Sequence, residues 1–325
     1  MRRSEAEERL SEAFAEAEER HRCLVVHNPA MYEALRRRVR AGRAVRPLPG
    51  MAMRRELWDE LARRPRARWR YAQNTYHDYH PHQAFCAFSA ALEYGLWVPA
   101  RQLGMLHLAV ETPSHVKSSK KVARHCCPVK ELDEIDGVPV TSLMRTVLDC
   151  SLLGSFGDGL SIADSAMRFC NLDRGVYRKY VDRTVANRPH AGRAREVARF
   201  ADGMSENGGE SLVRARIIEL GFRPPTSLQT EFADPVEGGR TLRVDMFYEF
   251  EGGRCLIVEV DGLEKYGDRN GEAAKTRDEL VKERQRESHL TALGIPVMRV
   301  LFARLYEPGY LDNLLTSYGV PRRSC

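Results

Sequence analysis

Residues 243–262 read RVDMFYEFEGGRCLIVEVDG. Two runs rich in β-branched and aromatic residues flank a glycine pair, which is the pattern of a β-hairpin. With Glu251-Gly252-Gly253 as a three-residue turn, Phe250 pairs with Arg254, and counting outward sets Asp245 opposite Glu259. Opposed residues share a face, with Cβ atoms ~4.5–5.5 Å apart, and the pleat brings Asp261 to that face as well. The other face carries Val244, Met246, Tyr248 and Phe250 against Leu256, Val258 and Val260, a core without an ionisable group. The hairpin is thus expected to have a dry side and an acidic side.

Opposed like charges destabilise a sheet, and three neighbouring carboxylates raise one another's pKa unless a positive charge sits among them. An oxygen-preferring divalent cation, Mg²⁺ or Mn²⁺, would supply that charge, with Asp245 and Glu259 as its ligands. Glu210, in the first turn of a helix predicted over SENGGESLVRARIIELG (205–221), would add a further oxygen if that helix packs across the sheet. The alternative is that Asp245 and Glu259 form ion pairs with arginines of neighbouring elements, for which Arg243 and Arg299 are available.

Outward from the hairpin, strands are predicted at SLQTEFAD (227–234), TLRVDMFYEF (241–250), RCLIVEVD (254–261) and PVMRVLF (296–302). A long charged helix, AAKTRDELVKERQRESHLTALG (273–294), precedes the last strand. Helix, β-meander, helix and strand make an α/β/α unit over 204–325. At 325 residues the chain exceeds one ordinary core, and two further segments are expected: 1–70, and an α/β connector over 71–203. The fold class is α/β multidomain.

The first 70 residues hold 18 Arg, no Lys and 11 Asp or Glu, so the positive charge of the chain is concentrated there. Planar, bidentate guanidinium groups suit phosphate contact; a solvated Arg-rich face is the competing explanation. In HNPAMYEALRRRVRAGRAVRPLPGMAM (27–53), Asn28 fits an N-cap, Pro29 the first helical position and Gly42 the left-handed position after the helix. Met31, Leu35 and Val39 form one apolar stripe. RAVRPLPGMAM then reads as a β-wing, and helix, helix, basic wing is the order of a winged helix-turn-helix.

In the middle segment RYAQNTYHDYHPHQ (70–83) reads as turn-rich. Its His77, His80 and His82 are spaced unevenly for a metal site, which favours capping and packing. Strands are expected at GMLHLAV (104–110) and ELDEIDGVPV (131–140), with a type I′ turn at Asp136-Gly137. Thr141 is expected to cap the helix SLMRTVLDCSLL (142–153), and three more helical patterns follow. The eight cysteines form no C-x-x-C pair and argue for reduced thiols, the vicinal Cys126-Cys127 included. No apolar run approaches the ~18 residues of a membrane span, and MRRSEAEERLSEAFAEAEER (1–20) is a charged amphipathic helix rather than a signal peptide. A cytoplasmic location is the expectation.

The order Glu210, Asp245, Glu259-Val260-Asp261, then a basic helix and a terminal strand, resembles the PD-(D/E)XK nuclease superfamily. VEVDG (258–262) and RESHLTALG (286–294) resemble its branch related to very-short-patch repair endonucleases. The resemblance covers about 204–320 and implies a restriction-endonuclease-like core in which Asp245 and Glu259 bind Mg²⁺ and Glu210 assists. The metal would activate a water and offset charge at the scissile phosphate. In active members the second position after the Glu is usually a lysine that helps orient the attacking water. This chain has Asp261 there, which bears on catalysis rather than on fold, and Lys265 is the residue expected to reach back in its place.

RPLPGMA, FSAALEYGL and GVPVTSLMRTVLDCS, in the first 200 residues, resemble AbiEi-family antitoxin and regulator proteins of bacteria. That similarity implies a winged-helix N-terminus with Arg36, Arg37, Arg38, Arg40, Arg43 and Arg46 on DNA, and it admits a homodimer and a partner toxin protein. Two functions follow as expectations. One is a DNA-binding protein with a Mg²⁺-dependent endonuclease-like domain; the other is a transcriptional regulator or antitoxin carrying an inactive nuclease fold.

Overall fold

The computed structural model describes residues 3–112, 118–127, 132–186, 188–261 and 277–323, with backbone only for Arg3 and for 277–283. The chain divides into two compact units, Met1–Cys150 and Ser151–Cys325. The architecture is mixed α/β and multidomain, with four sheets among the described residues. The boundary between the two units falls within the helix Leu143–Leu153.

The first unit opens with α1 (Arg3–Glu19), β1 (Leu24–Val25), α2 (Pro29–Arg40), β2 (Ala44–Val45) and β3 (Met51–Arg54). As its side-chain chemistry predicts, Asn28 caps α2 by accepting from the N–H groups of Ala30 and Met31, and Gly42 takes φ +71° just past the helix. Leu35 is buried against Leu10, Phe14 and Leu24, with Met31 and Val39 half-buried beside it. The hairpin expected at RAVRPLPGMAM is present: Ala44 pairs with Arg54 and Val45 with Met53, and β1 adds to the other edge of β3.

α3 (Arg55–Glu60), α4 (Pro65–Tyr79), α5 (Ala87–Glu93), β4 (Leu106–Val110), β5 (Val122–Cys126), β6 (Leu132–Ile135), β7 (Val138–Thr141) and α6 (Leu143–Leu153) follow. Residues 70–79, expected to be turn-rich, form the end of α4 instead. Trp69, Tyr71 and Ala72 are buried there, and packing outweighs the weak helix preference of the aromatic residues. Asp136 and Gly137 both have positive φ, as a type I′ turn requires. Thr141 belongs to β7 rather than to the helix cap; its hydroxyl meets that of Thr146 at 2.8 Å.

The second unit contains α7 (Phe156–Phe169), α8 (Arg174–Val185), α9 (Ala191–Phe200), α10 (Gly208–Glu219), β8 (Ser227–Ala233), β9 (Thr241–Glu249), β10 (Cys255–Asp261), α11 (Arg277–Ala292), β11 (Val297–Leu301) and α12 (Tyr310–Ser317). The sheet runs β11-β10-β9-β8, antiparallel through the meander, with β11 parallel to β10. One face packs on α10 and α12 through Val213, Ile217, Leu311 and Leu315, and the other on α11 through Leu290. Three layers result, as expected for this segment. Among the described residues no helix is long and apolar enough to cross a membrane.

Candidate functional site

The hairpin turn forms as counted: Phe250 N–H donates to the Arg254 carbonyl, and the ladder runs from Cys255↔Glu249 to Val258↔Met246. The ladder ends one pair short of Asp245 and Glu259. There the carboxylate of Asp245 accepts the N–H of Val260 at 2.8 Å, taking over a role that a backbone carbonyl fills elsewhere in the sheet.

The side-chain alternation of β9 slips at the same residue. Met246, Tyr248 and Phe250 lie in the core with Leu256 and Val258, whereas Leu242 and Val244 lie with Ile257 and Leu290 on the α11 side. An unbroken strand would put Leu242, Val244 and Met246 on one face, so the expected position of Val244 on the dry face is corrected. β8 slips in step. Leu228 packs toward α10, Phe232 toward α11, and Gln229 between them has φ +51°, an uncommon conformation for a residue with a Cβ. The acidic cluster is built at this double slip.

Glu210 enters from α10, whose N-terminus is capped by Asn207. Its buried carboxylate accepts from Asn207 Nδ2 at 2.5 Å, from Glu206 N–H at 2.8 Å and from Gln229 Nε2 at 2.8 Å. Burial, and then the charge of Asp245, push its pKa up to about 8. Burial, followed by the charge of Glu259, pushes Asp245 up to about 6, although the Val260 N–H and Arg286 act in the opposite direction. Asp245 thus lies within electrostatic reach of both Glu210 and Glu259, and burial with these neighbouring charges raises Glu210 and Asp245.

α10 is held by a buried network. Arg214 donates to both carboxylate oxygens of Asp164 on α7, at 2.9 and 2.7 Å, and also to Asp202, while Ser211 Oγ donates to Asp164 at 2.6 Å. On the opposite side His289 Nδ1 lies 2.8 Å from Asp234 Oδ2 and ties α11 to the end of β8.

The arginine partners differ from the expected ones. Glu259, buried on the central strand β10, is gripped by Arg286 of α11, Nη1 at 2.7 Å and Nη2 at 3.2 Å. Arg243 pairs with Glu206, and Arg299 pairs with Asp261 at 3.2 Å and Glu287 at 2.9 Å. Asp261 is thus drawn to β11 instead of joining the other three acids. Lys265 lies outside the described residues. A cavity of about 370 Å³ opens beside Asp245, lined also by Glu206, Gln229, Glu231, Thr241, Arg243 and Arg286.

Hard carboxylate oxygens with surplus negative charge suit Mg²⁺ or Mn²⁺, and Mg²⁺ is commonly held by one or two carboxylates plus waters. Among the described residues no group of three or more His, Cys, Asp or Glu is arranged to hold a metal ion. A cation would therefore rely on Asp245 and Glu259 with water, and would take the place of Arg286 at Glu259.

In the first unit, Arg37 and Arg38 both bind Glu7 of α1, at 3.0 and 2.9 Å; Arg38 also reaches the Glu7 carbonyl and Ser11 Oγ. These two cations join α1 to α2. Arg36 pairs with Glu33, Arg46 stacks over the Tyr32 ring, and Arg36, Arg40, Arg43 and Arg46 are exposed.

Sequence reasoning missed Arg286, Gln229 and Glu7. Arg286 had a signal, since it stands four residues before Leu290 and seven before Leu293, on the stripe of α11 that faces the sheet. Compared with protein-family models, curated proteins and solved structures, the chain matches none.

Proposed function

We propose that this chain is a DNA-binding protein whose second unit carries an endonuclease-like site for a divalent cation. Asp245 and Glu259 would ligate Mg²⁺ or Mn²⁺, with Glu210 beside them. The observation that carries this reading is the convergence of Glu210, Asp245 and Glu259 from α10, β9 and β10, with two of the three held well above ordinary carboxylate pKa values. Carboxylates raised first by burial and then by a neighbouring carboxylate are concentrated at functional sites. When bound, the cation would supply an activated water and offset charge on a phosphodiester. The chain's own residues would orient the cluster: Gln229, Asn207 and the Glu206 N–H fix Glu210, and the Val260 N–H fixes Asp245. DNA contact is assigned to the exposed Arg36, Arg40, Arg43 and Arg46 of a winged-helix-like N-terminus.

A second reading, a regulator or antitoxin with an inactive nuclease fold, is favoured by one observation. Arg286 and Arg299 already neutralise Glu259 and Asp261. Supercoiled DNA incubated with Mg²⁺ or Mn²⁺ separates the two. Nicking by wild type and none by the Asp245→Ala, Glu259→Ala double variant supports the enzyme. Retained DNA binding without nicking by either protein supports the regulator.

A further inference from the structure

A second cavity, of about 340 Å³, lies within the second unit, between the start of α8, the end of α9, α10 and the segment that leads into β8. Phe200, Met204, Ile218 and Leu228 give it an apolar side. Arg174, Arg199 and Arg214 give it a cationic one, and Asp202 is the acid among its lining residues.

The three arginines are not equivalent. Arg214 is buried and its charge is answered by Asp164 and Asp202, yet its Nε–H has no hydrogen-bond partner. Arg174 and Arg199 are exposed, and among the described residues neither pairs with a carboxylate. Arg174 Nη2 donates to the Arg199 carbonyl at 2.7 Å, and the Arg199 guanidinium carbon lies 5.3 Å from the centroid of the Phe200 ring. The charge left unanswered at this cavity therefore sits on Arg174 and Arg199, beside the apolar side.

Ligand pockets of about 300–1,000 Å³ combine an apolar wall with a few placed polar groups, and the planar guanidinium fork is complementary to a carboxylate. The structure assigns this cavity to a small organic acid, its carboxylate on Arg174 and Arg199 and its apolar body against Phe200, Met204, Ile218 and Leu228. The Arg174 contact with the Arg199 carbonyl uses one of the five N–H donors of a guanidinium, so a carboxylate can be added without breaking it. A buried donor without an acceptor is costly, so the Nε–H of Arg214 favours a ligand that brings an oxygen to this wall. The cavity shares no lining residue with the one beside Asp245, and binding here is separable from the cation site.

The test is calorimetric titration of the full chain with 2-naphthoate, which has both parts, with 2-naphthylmethanol, which lacks the charge, and with acetate, which lacks the apolar body. Saturable binding of 2-naphthoate is expected, with 2-naphthylmethanol weaker by about tenfold or more, the worth of a charge-assisted hydrogen bond, and no heat from acetate. The Arg174→Gln, Arg199→Gln double variant should lose about tenfold or more in 2-naphthoate affinity. Met204→Trp, at a half-exposed residue of the apolar side, should weaken it as well by filling the cavity. Arg195→Gln is the control: it removes an equal charge from α9 outside the cavity lining and should change affinity by less than about twofold. Equal affinity for 2-naphthoate and 2-naphthylmethanol would overturn the carboxylate contact. Equal loss in Arg195→Gln and the double variant would reduce the effect to general electrostatics and overturn the site, as would the absence of 2-naphthoate binding by wild type.

Discussion

Arg286 Nη1 lies 2.7 Å from Glu259 Oε2 while Nη2 lies 3.2 Å from Oε1, a two-point contact between a half-exposed cation and a buried anion. The asymmetry in burial has an energetic consequence. Arg286→Ala leaves a buried carboxylate uncompensated and should destabilise the second unit by about 1–3 kcal/mol, discounted from the fully buried case because the cavity admits solvent. Glu259→Gln leaves the half-exposed Arg286 with its bond to the Arg243 carbonyl and should cost less. Urea unfolding of the two variants checks the order.

Glu210 and Asp245 make stability depend on pH in a defined direction. Both pKa values are raised on folding, to about 8 and about 6. Above the ordinary carboxylate range the native state therefore holds protons that the unfolded chain has released. Stability from these groups is complete below about pH 4 and is lost as pH rises toward 6 for Asp245 and toward 8 for Glu210. Thermal unfolding between pH 4 and 8 should show Asp245→Asn less sensitive to pH than wild type below pH 6. Parallel curves would contradict the assignment.

The Asp164–Arg214 pair is fully enclosed, so breaking it should be far more damaging than breaking a surface pair. Asp164→Ala is expected to cost about 3 kcal/mol, the low end of the range for a broken buried pair, because the buried Arg214 keeps only the part-exposed Asp202. Since Arg214 and Glu210 share α10, the same substitution should also weaken any cation binding. Circular dichroism melts and a Mn²⁺ titration report the two effects separately.

The arginines of α2 divide into two groups. Arg38→Ala or Glu7→Ala should lower stability by roughly 1 kcal/mol, since the pair is partly exposed, with DNA affinity affected only through folding. Arg40→Ala and Arg43→Ala should leave stability unchanged, weaken DNA binding on all sequences alike, and reduce the salt slope by about one each. Fluorescence anisotropy across a salt series distinguishes the groups.

Local chemistry made much of this fold legible. The glycine turn fixed the hairpin register, Asn28 and Gly42 marked both ends of α2, and Asp136-Gly137 marked a turn. The pleat count set Asp245 opposite Glu259, but it also put Asp261 on that face, where Arg299 draws it toward β11 instead. What escaped depends on tertiary packing. Arg286 was one arginine among several in a charged helix, and only its place on the sheet-facing stripe selects it. The double slip at Gln229 and Asp245 has no sequence marker, because neither residue is a glycine. Glu7 lies 30 residues from Arg37, too far for any periodicity to connect them.

The claim that Asp245 and Glu259 form a divalent cation site is tested most directly by titrating Mg²⁺ into the full chain in a calorimeter, alongside the Asp245→Asn, Glu259→Gln double variant. The account predicts one Mg²⁺ bound per wild-type chain and none by the double variant. Equal binding by both proteins, or none by wild type, would contradict it.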